Sequence, residues 1–220
     1  MNKMQIAFVR HGVTTWNLEG RRQGTHDFEL TEDGISQAKM IGETLASLNV
    51  PFKIIYTSPL KRAVQTAQII ANRLGLQTTI YQQLHELDFG CWTGLTQTEI
   101  EERYSELLKE RERDKWNFRL PGGESYCDGY TRVLPFLNEV VNLGSNCIVV
   151  SHSTIGRIMI GQLLGYSSQQ TLEIKHPFWI VYLVDPKLRT ITYVDSIKGI
   201  SRNGIVIEFD YDRELSPYKN

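Results

Sequence analysis

No stretch of the chain approaches the roughly 18 consecutive apolar residues of a membrane-spanning helix, so a transmembrane segment is not expected. Cysteine is scarce. Cys91, Cys127 and Cys147 are odd in number and widely spaced, which excludes a disulfide framework and a zinc-ligand pattern and reads as reduced thiols. Charge of one sign is also missing: 24 Lys and Arg against 25 Asp and Glu leave a formal net charge of -1, so no global field draws the chain to nucleic acid or to a membrane surface. Internal repeats and low-complexity segments are absent. Met1-Asn2-Lys3-Met4 runs straight into an apolar strand, with no room for a signal peptide, so a cytoplasmic location is expected. No Asp/Glu/His grouping suits Mg²⁺ or Zn²⁺, so neither a metal nor a cofactor is expected.

What is present is ordinary for a globular protein: 41% hydrophobic and 22% charged residues, in a length of 220 that suits one α/β domain, or one with an inserted cap. Ile6-Ala7-Phe8-Val9 ends abruptly in Arg10-His11-Gly12, which reads as a buried strand whose carboxyl end delivers a cation, an imidazole and a glycine. Open α/β sheets build their ligand crevices at such ends. Arg offers a fork of donors for phosphate or carboxylate. Gly permits close backbone approach and positive φ. His can serve as base, acid, nucleophile or metal ligand.

Residues 18–30 read as a loop. Thr31 then caps a helix carrying Ile35, Ala38, Ile41, Leu45 and Leu48 at helical spacing. A short strand at 53–57 leads to Ser58-Pro59, read as N-cap and first position of a helix that Gly75 stops. Strand, helix, strand, helix implies a mostly parallel sheet. Another short strand is expected at 78–81. The pattern changes at 84–123: an irregular start, a charged and solvated helix over 96–113, and a loop with Trp116 and Phe118 that ends in Pro121-Gly122-Gly123. This segment is expected as an excursion over the crevice of a single domain spanning 1–220. A helix over 124–143 with Pro135 inside, a central strand at 146–150 before Ser151-His152-Ser153, and a helix over 154–164 follow. A hairpin, 178–184 with 190–194, is expected at one sheet edge, then a last strand at 204–209 and a frayed tail from Asp210. The fold class is α/β, three layers α/β/α around a mostly parallel central sheet.

Four signals can meet at one site: Arg10-His11-Gly12, Arg62 early in the helix after the second strand, Glu86 in Leu84-His85-Glu86-Leu87-Asp88-Phe89-Gly90, and His152 after the central strand. Two Arg and two His can surround a phosphoryl group with charge and donors, and one carboxyl group can serve the leaving oxygen.

On these blocks the sequence resembles the histidine phosphatase superfamily, also called phosphoglycerate mutase-like. The resemblance runs from about Ile6 to Gly165 and rests on Arg10-His11-Gly12 with Thr14 and Asn17, Leu30-Thr31 with Gly34 and Gln37-Ala38, Ser58-Pro59-Leu60 with Arg62-Ala63 and Gln65-Thr66-Ala67. It continues through Glu86-Leu87-Asp88-Phe89-Gly90 with Trp92 and Gly94, Pro121-Gly122-Gly123-Glu124-Ser125, and Val149-Val150-Ser151-His152. It implies His11 as a nucleophile that forms a phosphohistidine. Arg10, Arg62 and His152 would hold the transferring group, and Glu86 would act as acid and then base. Asn17, Gln23, Gly24 and Ser153 are the further candidate substrate contacts, with Trp116 and Phe118 as an aromatic wall joined by Arg119. A carboxylic acid protonated near neutral pH needs burial, which Phe89 and Trp92 could supply. Ser153 departs from the Gly that many members carry there, and Thr93 from a common Glu; a positive φ at Ser153 would cost on the order of 1 kcal/mol.

Mutases of the superfamily carry polar, basic and tyrosyl residues just after the catalytic Glu. Leu87-Asp88-Phe89 offers no hold for a second anion, which favours a phosphatase; a mutase-type phosphotransferase is the alternative, and an inactive phospho-ligand binding module ranks last. The expected partner is a small phosphorylated metabolite, with no nucleic acid and no membrane, and a homodimer is left open.

Overall fold

The computed structural model describes residues 4–206. Its elements, in chain order, are β1 (Ile6–Arg10), α1 (Thr15–Leu18), α2 (Glu32–Ser47), β2 (Ile54–Thr57), α3 (Lys61–Leu74), β3 (Thr78–Ile80), α4 (Gln97–Arg103), α5 (Ser105–Arg113), α6 (Tyr126–Leu143), β4 (Cys147–Ser151), α7 (Ser153–Leu164), α8 (Ser168–Glu173), β5 (Ile180–Asp185), β6 (Thr190–Asp195) and β7 (Ile200–Asn203). The strands form one sheet in the order β3-β2-β4-β1-β5-β6-β7. β3, β2, β4 and β1 are parallel neighbours, and β5, β6 and β7 continue antiparallel, so five of the seven strands run in one direction.

Alternation along β1 sorts its side chains into two cores. Ile6 and Phe8 face α6 and α7, packing with Val133, Phe136, Ile155 and Met159. Ala7 and Val9 face α2 and α3, packing with Ile41, Leu45, Ala67 and Ile70. Both faces are covered, so β1 and β4 are buried along their full length, as their unbroken apolar runs require. The result is the expected three-layer α/β/α arrangement. No helix among the described residues is long and apolar enough to cross a membrane.

Several local expectations are corrected. Leu18, expected to open the loop 18–30, instead ends a short helix, Thr15–Leu18, which Thr14 and Asn17 start with a reciprocal capping box. α3 begins at Lys61, not after Ser58: its N-cap Leu60 provides no side-chain bond, and Asp27 from a distant loop accepts from the Lys61 N–H at 2.6 Å instead. The charged helix expected over 96–113 is two helices, broken where Tyr104 leaves helical geometry (φ -134°, ψ 33°). α6 starts at Tyr126, where Ser125 and Asp128 form a capping box, and Pro135 sits inside it without ending it. The hairpin β5–β6 is interior to the sheet, and β7 forms the edge. Residues 204–206 carry no strand, and 207–209 and the tail from Asp210 lie outside the described residues.

Candidate active site

Strand order brings the motifs together. β2, β4 and β1 are neighbours and parallel, with Arg10 beside Ser151 and Thr57 beside Val150 in register. Their carboxyl ends therefore deliver Arg10-His11, Ser58 and His152 to one place. The His11 N–H donates to the Ser151 carbonyl at 3.0 Å and the Ser58 N–H to the Val150 carbonyl at 3.0 Å, which extends the sheet pairing into the site.

Gly12 serves close packing rather than positive φ. A Cβ there would stand 2.3 Å from the Gly34 carbonyl oxygen, so α2 can seat its first turn against the motif only if this residue is glycine. The Gly12 N–H donates to Thr66 Oγ1, tying the loop to α3 as well.

His11 is buried, with its Nδ1 2.7 Å from the Gly12 carbonyl oxygen. A carbonyl can only accept, so Nδ1 carries the proton and Nε2 keeps its lone pair. The Arg62 Nε–H donates to that Nε2 at 3.2 Å. Burial, then Arg62 and Arg10, hold the His11 imidazole well below the usual histidine range, which keeps it neutral at pH 7. Arg62 is itself fixed by the carbonyls of His26 (2.6 Å) and Gly24 (2.8 Å). Burial brings its guanidinium down to about 10, so it remains a cation at neutral pH. Arg10 stacks on Phe178, its guanidinium carbon 3.7 Å from the ring centre, and donates to the His176 carbonyl at 3.3 Å.

Glu86 is buried and accepts three backbone N–H bonds: Leu87 (2.9 Å) and Ile155 (3.2 Å) on Oε1, and Thr154 (3.1 Å) on Oε2. The last two come from the first turn of α7, whose positive end favours an acid there. The two-sided apolar wall expected around it is not found: Phe89 lines the cavity, while Trp92 lies in a separate small core with Ile100 and Leu120.

A cavity of about 540 Å³ opens over these groups, within the range of roughly 300–1,000 Å³ typical of small-molecule sites. Among the described residues its wall carries Arg10, Arg21, Arg22, Arg62, Arg111, Lys115, Arg157 and Lys175, eight cations, against the single carboxyl group of Glu86. The other nearby acids are engaged elsewhere: Asp88 accepts from the Gly90 N–H, and Glu124 pairs with Arg132 at 3.0 Å.

Of the expected contacts, Asn17, Gln23, Gly24 and Ser153 line the cavity together with Arg10, His11, Arg62 and Glu86. The Asn17 amide oxygen is taken by Thr14, which leaves its amide nitrogen to donate. Ser153 is the first residue of α7, with no positive φ, so the departure from glycine costs nothing. His152 is completely buried behind the wall, its ring 5.1 Å from that of His11 and its Nε2 2.7 Å from Ser58 Oγ. Trp116 and Phe118 do not reach the cavity. Trp116 packs on Tyr126 and Tyr130, Phe118 joins the small core around Trp92, and Arg119 pairs with Asp128 at 2.5 Å. The cations of the excursion that do reach it are Arg111, from the helix expected to be charged and solvated, and Lys115, from the loop after it, neither of which the sequence singles out. Arg157 was missed too, although helical spacing puts it on the face of Ser153, four residues earlier.

A buried, neutral imidazole with an oriented lone pair, beside guanidinium groups and one carboxyl group, is an arrangement suited to phosphoryl transfer through histidine. The model of the histidine phosphatase superfamily (branch 1) matches residues 6–194, and the chain belongs to that family. Phosphoserine phosphatase 1 of Hydrogenobacter thermophilus is 36% identical over 164 residues, 74% of this chain and 77% of that protein. A 2,3-bisphosphoglycerate-dependent phosphoglycerate mutase of Methylorubrum extorquens is 32% identical over 200 residues, 87% of this chain and 92% of that one. Among solved structures, the alpha-ribazole phosphatase of Shigella flexneri superposes with a TM-score of 0.74 at 22% identity, covering 93% of this chain and 96% of its own. The chain is thus a phosphoglycerate mutase-like phosphohydrolase.

Proposed function

We propose that this protein hydrolyses small organic phosphomonoesters in two steps on His11. The observation that carries the reading is the pairing of Nδ1 with the Gly12 carbonyl, which leaves the Nε2 lone pair beside Arg62. In the first step Nε2 attacks phosphorus, the N–P bond forms, the ester P–O bond breaks, and Glu86 gives a proton to the leaving oxygen. In the second step water attacks the phosphohistidine, Glu86 takes its proton, and inorganic phosphate leaves with the imidazole restored. Arg10 and Arg62 hold the equatorial oxygens, where charge is spread in the transition state, with Asn17 as a further donor and His152 as the ring that backs His11.

The reaction needs no metal in this reading. Guanidinium groups supply the charge, and no three His, Cys, Asp or Glu side chains among the described residues gather as a metal site. The reading also takes the chain as one domain acting in the cytoplasm, with the excursion at 84–123 as the wall over the crevice.

The test is phosphate release from a panel of phosphomonoesters after treatment with EDTA. Release that persists, and that is lost in His11→Ala, is expected. Activity lost to EDTA and restored by Mg²⁺ would overturn the metal-free mechanism, and transfer to an organic acceptor in place of water would make the chain a mutase.

A further inference from the structure

The outer part of the cavity has no role in the chemistry above, yet it holds most of the unneutralised charge. Arg111 and Lys115, at and just past the end of α5, and Arg157 on α7 converge on Tyr126, the first residue of α6. The Arg111 guanidinium carbon lies 5.3 Å from the Trp92 ring centre and 5.9 Å from that of Tyr126, and the Lys115 Nζ lies 6.0 Å from the Tyr126 ring centre. Several other arginines pair with acids: Arg21 with Glu99, Arg73 with Glu43, Arg119 with Asp128, Arg132 with Glu124. Arg111, Lys115 and Arg157 have no carboxylate ion pair among the described residues. The buried Arg157 Nε has no hydrogen-bond partner, and its Nη1 reaches the Leu172 carbonyl only at 3.5 Å.

Three like charges drawn together and partly withdrawn from water repel one another, and an anion among them would relieve that. Tyr126 registers the field. Burial alone would hold its phenol up, but Arg157, Lys115 and Arg111 together outweigh burial and bring it below the usual tyrosine range. Leu87-Asp88-Phe89 is therefore not where a second anion would be held: Leu87 is core, Asp88 is turned to Gly90, and the cations come from α5 and α7 instead.

We infer that Arg111, Lys115 and Arg157 around Tyr126 form a second anion subsite, and that the leaving group of the natural substrate carries a carboxylate or a second phosphate that sits there. The inference rests on the phosphomonoester reading for its first anion, held by Arg10 and Arg62.

Calorimetric binding to His11→Ala tests it without requiring turnover. One probe pair contrasts 3-phosphoglycerate with glycerol 3-phosphate, the other fructose 1,6-bisphosphate with fructose 6-phosphate. In at least one pair the doubly anionic probe should bind about tenfold tighter or better, the worth of one charge-assisted hydrogen bond. Preference in the first pair identifies a carboxylate, in the second a phosphate. Adding Arg111→Gln and Lys115→Gln should shrink the preference to within about twofold; Arg157→Gln is the independent second variant. Equal affinities in both pairs, or a preference that survives both sets of substitutions, would overturn the subsite. Absence of phosphate release by the unsubstituted protein from all four probes would overturn the phosphatase reading alone, leaving a measured binding preference to stand.

Discussion

The inner and outer ends of the cavity are both positive, and they are built in opposite ways. At the inner end the cations are locked: Arg62 is held by two carbonyls and an imidazole, Arg10 by an aromatic face and a third carbonyl. These groups hang from strand ends and from the first turn of α3, where the sheet fixes their spacing. At the outer end Arg111 and Lys115 come from a short helix and the turn after it, packed on a small core of their own. On the mechanism and subsite proposed above, the difference separates chemistry from choice of substrate: transition-state stabilisation needs donors that do not have to reorganise, whereas a leaving group can be met by longer and looser side chains.

The comparison breaks most sharply at Glu86. Glu86→Gln keeps the shape but cannot carry the proton, so kcat for an alkyl phosphate should fall by roughly 10²- to 10⁴-fold. p-Nitrophenyl phosphate, whose leaving group barely needs protonation, should lose far less; equal losses on both substrates would take the proton transfer away from Glu86.

Trp116 probes the outer end from behind. Because it packs on Tyr126 and Tyr130 rather than facing the cavity, Trp116→Ala should cost roughly 3 kcal/mol of stability, the scale of a large aromatic truncation. The substrate ranking should hold; a changed ranking at an unchanged melting temperature would place the indole against substrate.

Acid should loosen the inner end first. His11 and His152 titrate well below 6.5 in the folded chain, and His176 is pushed down to about 3, in each case chiefly by burial. Below pH 6.5 the unfolded chain takes up protons that the folded chain refuses, so stability is complete above that pH and is lost as pH falls, for His176 across the window from 6.5 to about 3. Each such histidine contributes up to about 1.4 kcal/mol per pH unit. Melting temperatures recorded from pH 7.5 downward should decline in that window, and less so in His176→Gln; a flat profile would mean the imidazoles titrate alike in the folded and unfolded chain.

Salt gives the smallest effect. Raising ionic strength should raise KM for a doubly anionic substrate more than for a singly anionic one, since the outer cations are nearer solvent. Equal salt dependence would place both anions at the inner end.

The inner end was legible in the sequence because local pattern and chemistry coincide there. An unbroken apolar run ending in Arg10-His11-Gly12, and another ending in Ser151-His152, state both a buried parallel strand and what it delivers. Ser58 shows the limit of such reading: its hydroxyl accepts from the Leu60 N–H at 3.3 Å and also meets His152, but α3 begins only at Lys61, whose N–H Asp27 takes from 34 positions away. The outer end was illegible for a related reason. The helix expected over 96–113 reads as charged and solvated and Lys115 falls in the loop after it, and only the break at Tyr104 and the packing of Trp92 beneath Arg111 bring these cations inward. Trp116 misled in the other direction, as an aromatic in a loop near the site whose partners are simply other aromatics.

The central claim is that His11 Nε2 takes the phosphoryl group. Rapid quench of a single turnover in base, which preserves a phosphoramidate, followed by mass spectrometry of the peptide spanning residues 5–21 measures it directly. The mechanism predicts an acid-labile phosphate on His11 that forms before inorganic phosphate appears and decays as it is released. Phosphate release with no phosphorylated His11 at any time, or at an undiminished rate in His11→Ala, would contradict it.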